Sequence, residues 1–63
     1  NLTLVQDSNA RFVVESVLNA AVVTEVKLRE RESERRLTVF LSQRCDDVAI
    51  GDSVRIVVDP VLH

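Results

Sequence analysis

Val48-Ala49-Ile50-Gly51-Asp52-Ser53-Val54-Arg55-Ile56-Val57-Val58-Asp59-Pro60 holds the only glycine and the only proline of the chain, one on each side of its cleanest alternating run. Gly51-Asp52 is a turn signal: glycine reaches positive φ without steric cost, and aspartate bonds its own nearby backbone. Beyond it Val54, Ile56 and Val58 point one way and Arg55 and Val57 the other, which predicts a strand with one face on a core. Pro60 offers no N–H to a ladder and pushes Asp59 toward an extended backbone, so the strand is expected to end or kink there. The residues before this element must supply its partner strands.

Working outward, residues 37–42 predict a return strand with Leu37, Val39 and Leu41 inward and Thr38 and Phe40 outward. An outward Phe40 is either covered by a second layer of the same domain or left for a partner. Residues 43–49 read as a polar connection, with one helical turn capped by Asp46 or Asp47, that ends with Val48 and Ile50 plugging the core. The charge run Arg29-Glu30-Arg31-Glu32-Ser33-Glu34-Arg35-Arg36 has no apolar stripe to dock a helix, and each arginine has a carboxylate neighbour, so it predicts a solvated hairpin end. Residues 21–31 predict the longest strand, with Val22, Thr24, Val26 and Leu28 on one face and Val23, Glu25, Lys27 and Arg29 on the other. Before it, residues 11–18 predict a strand with Phe12 and Val14 inward and Val13 and Glu15 outward. Asn19-Ala20 then turns the chain, asparagine being the best non-glycine residue for a left-handed backbone. Residues 1–5 suit an edge strand or packed arm, followed by the loop Gln6-Asp7-Ser8-Asn9. Val61-Leu62 is expected to begin a last short strand.

These elements predict an all-β fold, a small antiparallel barrel of the oligonucleotide-binding (OB-like) or SH3-like kind with about five short strands in a single domain over residues 1–63. Its expected core is Phe12, Val14, Val22, Val26, Leu28, Leu37, Val39, Leu41, Ile50, Val54, Ile56 and Val58. At 63 residues only about 60% of the unfolded surface can be buried, so the core is thin and a partner surface is welcome. The chain begins at Asn1 rather than methionine, which suits a domain cut from a longer protein.

Composition removes several function classes. Eight basic and ten acidic residues, well mixed, give a net charge of −2, so no nucleic-acid footprint is expected; two phenylalanines with no tyrosine or tryptophan leave few platforms for base stacking. No apolar run approaches the ~20 residues that span a bilayer, and no stretch reads as a signal peptide. Asn1-Leu2-Thr3 matches the glycosylation acceptor pattern, which three residues match by chance. A single Cys45 forms no internal disulfide and fits a reducing compartment. One cysteine and one terminal His63 build neither a zinc site nor a nucleophile-base pair, and Asp46, Asp47 and Asp52 read as turn and cap residues rather than a cation site. There is no glycine-rich phosphate loop. No catalytic residues and no metal ligands are assigned.

Val14-Glu15-Ser16-Val17-Leu18-Asn19, the strand over 22–28, Arg36-Leu37-Thr38-Val39, Ile50-Gly51-Asp52-Ser53-Val54-Arg55 and the terminal Val58-Asp59-Pro60-Val61-Leu62-His63 together resemble the TOBE domain. That module is the barrel-like C-terminal regulatory domain of ATP-binding subunits in ABC importers of sugars, glycerol phosphate and polyamines. The resemblance covers residues 12–63, with Asn19 where many members carry glycine. It implies a non-catalytic regulatory and interaction domain that packs on its own ATPase domain and the dimer mate. It also implies a cytoplasmic place at the inner face of the cell membrane, and no cofactor in the domain itself, ATP and magnesium belonging to the parent ATPase domain. Under this reading Val13, Val23, Phe40 and Val57, outward and unneeded by the core, are the expected interface.

Two alternatives stand beside it. The same superfamily includes Mop-type molybdate-binding proteins, which implies a small-oxyanion binder using Ser8, Asn9 and Arg11 at a subunit boundary. Here Ser8-Asn9-Ala10-Arg11 has the family's residue types in a different order, and the only lysine is Lys27. The third reading is an OB-like module for single-stranded nucleic acid, which would bind in a salt-dependent way.

Overall fold

The computed structural model describes residues 2–42 and 44–58. Five strands follow one another, β1 (Leu2–Gln6), β2 (Phe12–Asn19), β3 (Thr24–Glu30), β4 (Arg36–Leu41) and β5 (Ser53–Val58), all antiparallel in one sheet of order β1-β5-β2-β3-β4. There is no helix among the described residues, hence none long and apolar enough to cross a membrane. β2 serves two ladders. It pairs with β5 through Phe12 and Val13 and with β3 along its whole length, and the register shifts between Val14 and Ser16, which makes Glu15 a bulge residue. The extra residue bends the strand and sharpens its twist. No ladder joins the two edge strands, β1 and β4, although they approach one another.

Every strand contributes to one core. Leu4, Val14, Val26, Leu28, Val39, Leu41, Val48 and Val54 form it, with Leu2, Phe12, Val17, Cys45 and Ile56 packed against it. Leu28, Val26 and Val54 are fully shielded, as the alternation of residues 24–28 and 54–58 predicts. Four expected core residues are exposed, each at the end of an alternating run: Val22 (86%), Ile50 (71%), Val58 (68%) and Leu37 (36%). Val22 lies in the turn before β3, where Ala20 N–H donates to the Val23 carbonyl, so the strand spans 24–30 and β2 is the longest. Ile50 occupies a corner of the turn 49–52 and projects outward. Val58 is paired with Leu2 at the sheet's end, and Leu37 stands on an edge strand beside the charged hairpin. Residues 44–49 hold no helical turn, and only Val48 of the expected pair enters the core. The expectations for Asp59, Pro60 and residues 61–63 lie outside the described residues.

The turn at Gly51 forms as expected. Gly51 has φ 96°, Asp52 N–H donates to the Ala49 carbonyl at 3.0 Å, and the Asp52 carboxylate accepts from Ala49 N–H at 2.8 Å and from Gln6 Nε2 at 2.7 Å. A type II turn needs this positive φ at its third position. Gly51 N–H reaches the Val14 carbonyl at 2.8 Å and Val14 N–H the Asp52 carbonyl at 2.9 Å, tying the turn to the strand that β5 must join. Asn19, by contrast, has no positive φ: among the described residues only Glu34 (58°) joins Gly51 there.

Glu34 ends the β3–β4 hairpin, its N–H donating to the Glu30 carbonyl at 2.9 Å while Glu30 N–H donates to the Arg35 carbonyl at 2.8 Å. A left-handed residue with a Cβ costs about 1–2 kcal/mol, and glycine adds about 0.5–1 kcal/mol of entropy to the unfolded chain. Glu34→Gly is therefore expected to stabilise by about 0.5–1 kcal/mol, a rise in thermal midpoint of roughly 2–8 °C for a domain of this size. Scanning calorimetry checks it, and a fall would place the hairpin backbone elsewhere.

Candidate functional site

Alternation sends Val26 and Leu28 of β3 inward and leaves Glu25, Lys27 and Arg29 on the opposite face. The registers of β2 and β4 extend these three into rows across the sheet: Val13–Arg29–Arg36, Ser16–Lys27–Thr38 and Leu18–Glu25–Phe40. In the first row two arginines stand directly opposite, which repels. The bulge resolves this by presenting Glu15, whose carboxylate lies 3.0 Å from Arg36 Nε and 3.5 Å from Arg29 Nε. Both pairs are partly solvated, so their contribution is small and their effect is to set side-chain position.

The third row differs in chemistry. Leu18 and Phe40 are 61% and 58% exposed and flank a half-buried Glu25, and Val22 protrudes from the adjacent turn. Of the four expected interface residues, Phe40 lies in this row and half-buried Val23 lies in the turn just before β3. Half-buried Val13 belongs to the arginine row at the other end, and half-buried Val57 stands on β5 opposite Thr3, on the β1–β5 part of the sheet. Glu25 is on the outward face that alternation predicts, though not among the expected interface residues; an outward Leu18 is not expected from sequence at all. The bulge is the reason: it shifts the parity of β2, turning Val17 toward the core and Leu18 outward. The adjacent apolar pair Val17-Leu18 is the one signal that both faces are used there.

The residues expected for an anion lie in the β1–β2 loop, a tight turn in which Ala10 N–H donates to the Asp7 carbonyl at 2.9 Å and Asn9 N–H to Asp7 Oδ1 at 3.0 Å. Asn9 and Arg11 line a cavity of about 180 Å³ with Ala10, Glu30, Arg31 and Glu32. Ser8 instead lines a depression with Gln6, Asp7, Gly51, Asp52 and Ser53. Two glutamates share the cavity with its two arginines, and the Arg31 guanidinium donates to Ser53 Oγ.

Cys45 is half-buried with a free thiol, its backbone N–H held by Asn19 Oδ1 at 3.0 Å. Asp46 is paired with Arg44 at 3.1 Å, and among the described residues no three His, Cys, Asp or Glu side chains gather to hold a metal ion. His63 lies outside the described residues. Comparison with protein-family models, curated proteins and solved structures found no match to this chain.

Proposed function

We propose that this chain is a non-catalytic interaction domain of the TOBE kind, the regulatory module of an ABC-importer ATP-binding subunit, and that its outer sheet face meets its own ATPase domain and the dimer mate. The observation that carries this reading is the row Leu18–Glu25–Phe40, which leaves two large apolar side chains solvated where the core has no use for them. Single exposed apolar residues are ordinary, but a pair across one carboxylate forms a patch suited to burial against protein. A face that is covered to different extents in two states of a dimer biases the equilibrium between them by that difference. The barrel form, SH3-like or OB-like, is supported by β2, which serves two ladders and bends at its bulge, and by the approach of β1 to β4.

The test is the size of the natural gene product, read in cell extract with an antibody to this segment. The expected result is a band several times 7.1 kDa that carries ATPase sequence by mass spectrometry. A free product of this mass, or a larger chain without ATPase sequence, overturns the reading.

A further inference from the structure

We infer that the row Leu18–Glu25–Phe40 is a receptor for one arginine side chain presented by a protein partner. This rests on reading the domain as an interaction module and adds the chemistry of what the face takes. The starting observation is a difference among carboxylates. Five are half-buried among the described residues: Asp7, Glu15, Glu25, Glu30 and Asp52. Four are satisfied within the chain. Asp7 accepts from Asn9 N–H and pairs with Arg55, Glu15 pairs with Arg29 and Arg36, Glu30 accepts from Ser33 Oγ, and Asp52 accepts from Ala49 N–H and Gln6 Nε2. Glu25 has neither a hydrogen-bond nor an ion-pair partner among the described residues. A carboxylate that has lost part of its water gains most from an incoming charged donor.

Its surroundings select the donor. Leu18 and Phe40 stand directly opposite Glu25 on the two neighbouring strands, where Cβ atoms lie about 4.5–5.5 Å apart. Two sides of the carboxylate are therefore apolar, one of them aromatic. Lys27, two positions on along β3, shares this face and forms no ion pair with Glu25. A guanidinium matches this geometry: its plane stacks on the Phe40 ring, its fork meets the carboxylate bidentately, and its aliphatic stem lies on Leu18. An ammonium is a more strongly hydrated point charge and gains less from the apolar sides. A nucleic-acid backbone would set phosphate against Glu25, and a choline headgroup calls for an aromatic cage where only Phe40 is present.

The test uses N-acetyl-Leu-Arg-Leu-amide and its citrulline counterpart, the same shape without the charge, in amide-resolved NMR titrations of the 15N-labelled chain. The expected result is saturable binding of the arginine peptide, with shifts concentrated at Leu18, Glu25 and Phe40. Its affinity should exceed that of the citrulline peptide by about fivefold, the combined worth of an exposed cation–π contact and a surface ion pair. Glu25→Gln, at a side chain that supports nothing else in the fold, should abolish the difference, Phe40→Leu should reduce it, and Lys27→Ala should enlarge it by removing a competing cation. Equal binding of the two peptides, no saturable binding, shifts centred on other carboxylates, a Glu25→Gln variant that keeps the preference, or equal binding of phosphocholine would each overturn the inference. The size of the parent chain is read independently, so either idea can fall without the other.

Discussion

Replacing Leu28 by alanine is expected to cost about 3 kcal/mol and to leave the domain close to its unfolding limit. Leu28 is fully shielded on β3, between Val14 on β2 and Leu37 on β4, in a core to which every strand contributes. Buried leucine-to-alanine changes cost about 2–5 kcal/mol, the larger values where neighbours cannot close the cavity. A chain of this length has a total stability of roughly 3–9 kcal/mol at 0.05–0.15 kcal/mol per residue, so one residue carries a third of it or more. The informative comparison is Leu18→Ala, the same chemical change at a position 61% exposed, for which about 0.5 kcal/mol or less is expected. Urea titrations followed by circular dichroism measure both. Equal costs for the two variants would mean that the two faces of the sheet are wrongly assigned.

That pair of leucines also shows what one sequence discloses. Leu28 was legible because residues 24–28 alternate without interruption, and a period of two leaves no doubt which side chains share its face. The Gly51-Asp52 turn was legible for a similar reason: only one residue type sits comfortably at φ 96°. Alternation says nothing about where a strand stops, so Val22 and Ile50 kept their apparent parity while lying in turns that point them outward. Nor does it announce a bulge. The run from Phe12 continued past Glu15 would put Leu18 inside; one unpaired residue puts it outside and creates the row with Glu25 and Phe40. The candidate site was therefore partly visible, Phe40 and Glu25 from their parity, Leu18 only from the register. The expected anion residues, adjacent in sequence, separate in space because a tight turn directs Ser8 to one side and Asn9 and Arg11 to the other.

The sequence predicts a turn former at Asn19, and the structure gives this residue a different task whose loss should be costly. Its Oδ1 accepts from Thr24 Oγ1 at 2.7 Å and from Cys45 N–H at 3.0 Å, and its Nδ2 lies 3.5 Å from the Cys45 carbonyl. One side-chain amide thus links the β2–β3 hairpin to a connection 26 positions away. Thr24 is only 1% exposed, so its hydroxyl has little access to water if Asn19 is removed. Asn19→Ala should cost about 2–3 kcal/mol, most of it the desolvation penalty of the stranded hydroxyl and the remainder the loss of the Cys45 bond. Adding Thr24→Val removes the stranded group and should restore about half, a coupling that a double-mutant cycle measures directly. Asn19→Asp keeps both acceptor bonds and should cost much less than Asn19→Ala. Amide exchange at Cys45 should accelerate in the alanine variant and in the double variant alike, because the valine repairs the interior and leaves the connection untethered. If Asn19→Ala costs less than about 0.5 kcal/mol and Cys45 exchange is unchanged, water replaces the amide at this junction, and residues 44–49 are held by Val48 and Cys45 at the core, by Gln6 Nε2 on the Asp47 carbonyl and by the Asp52 turn.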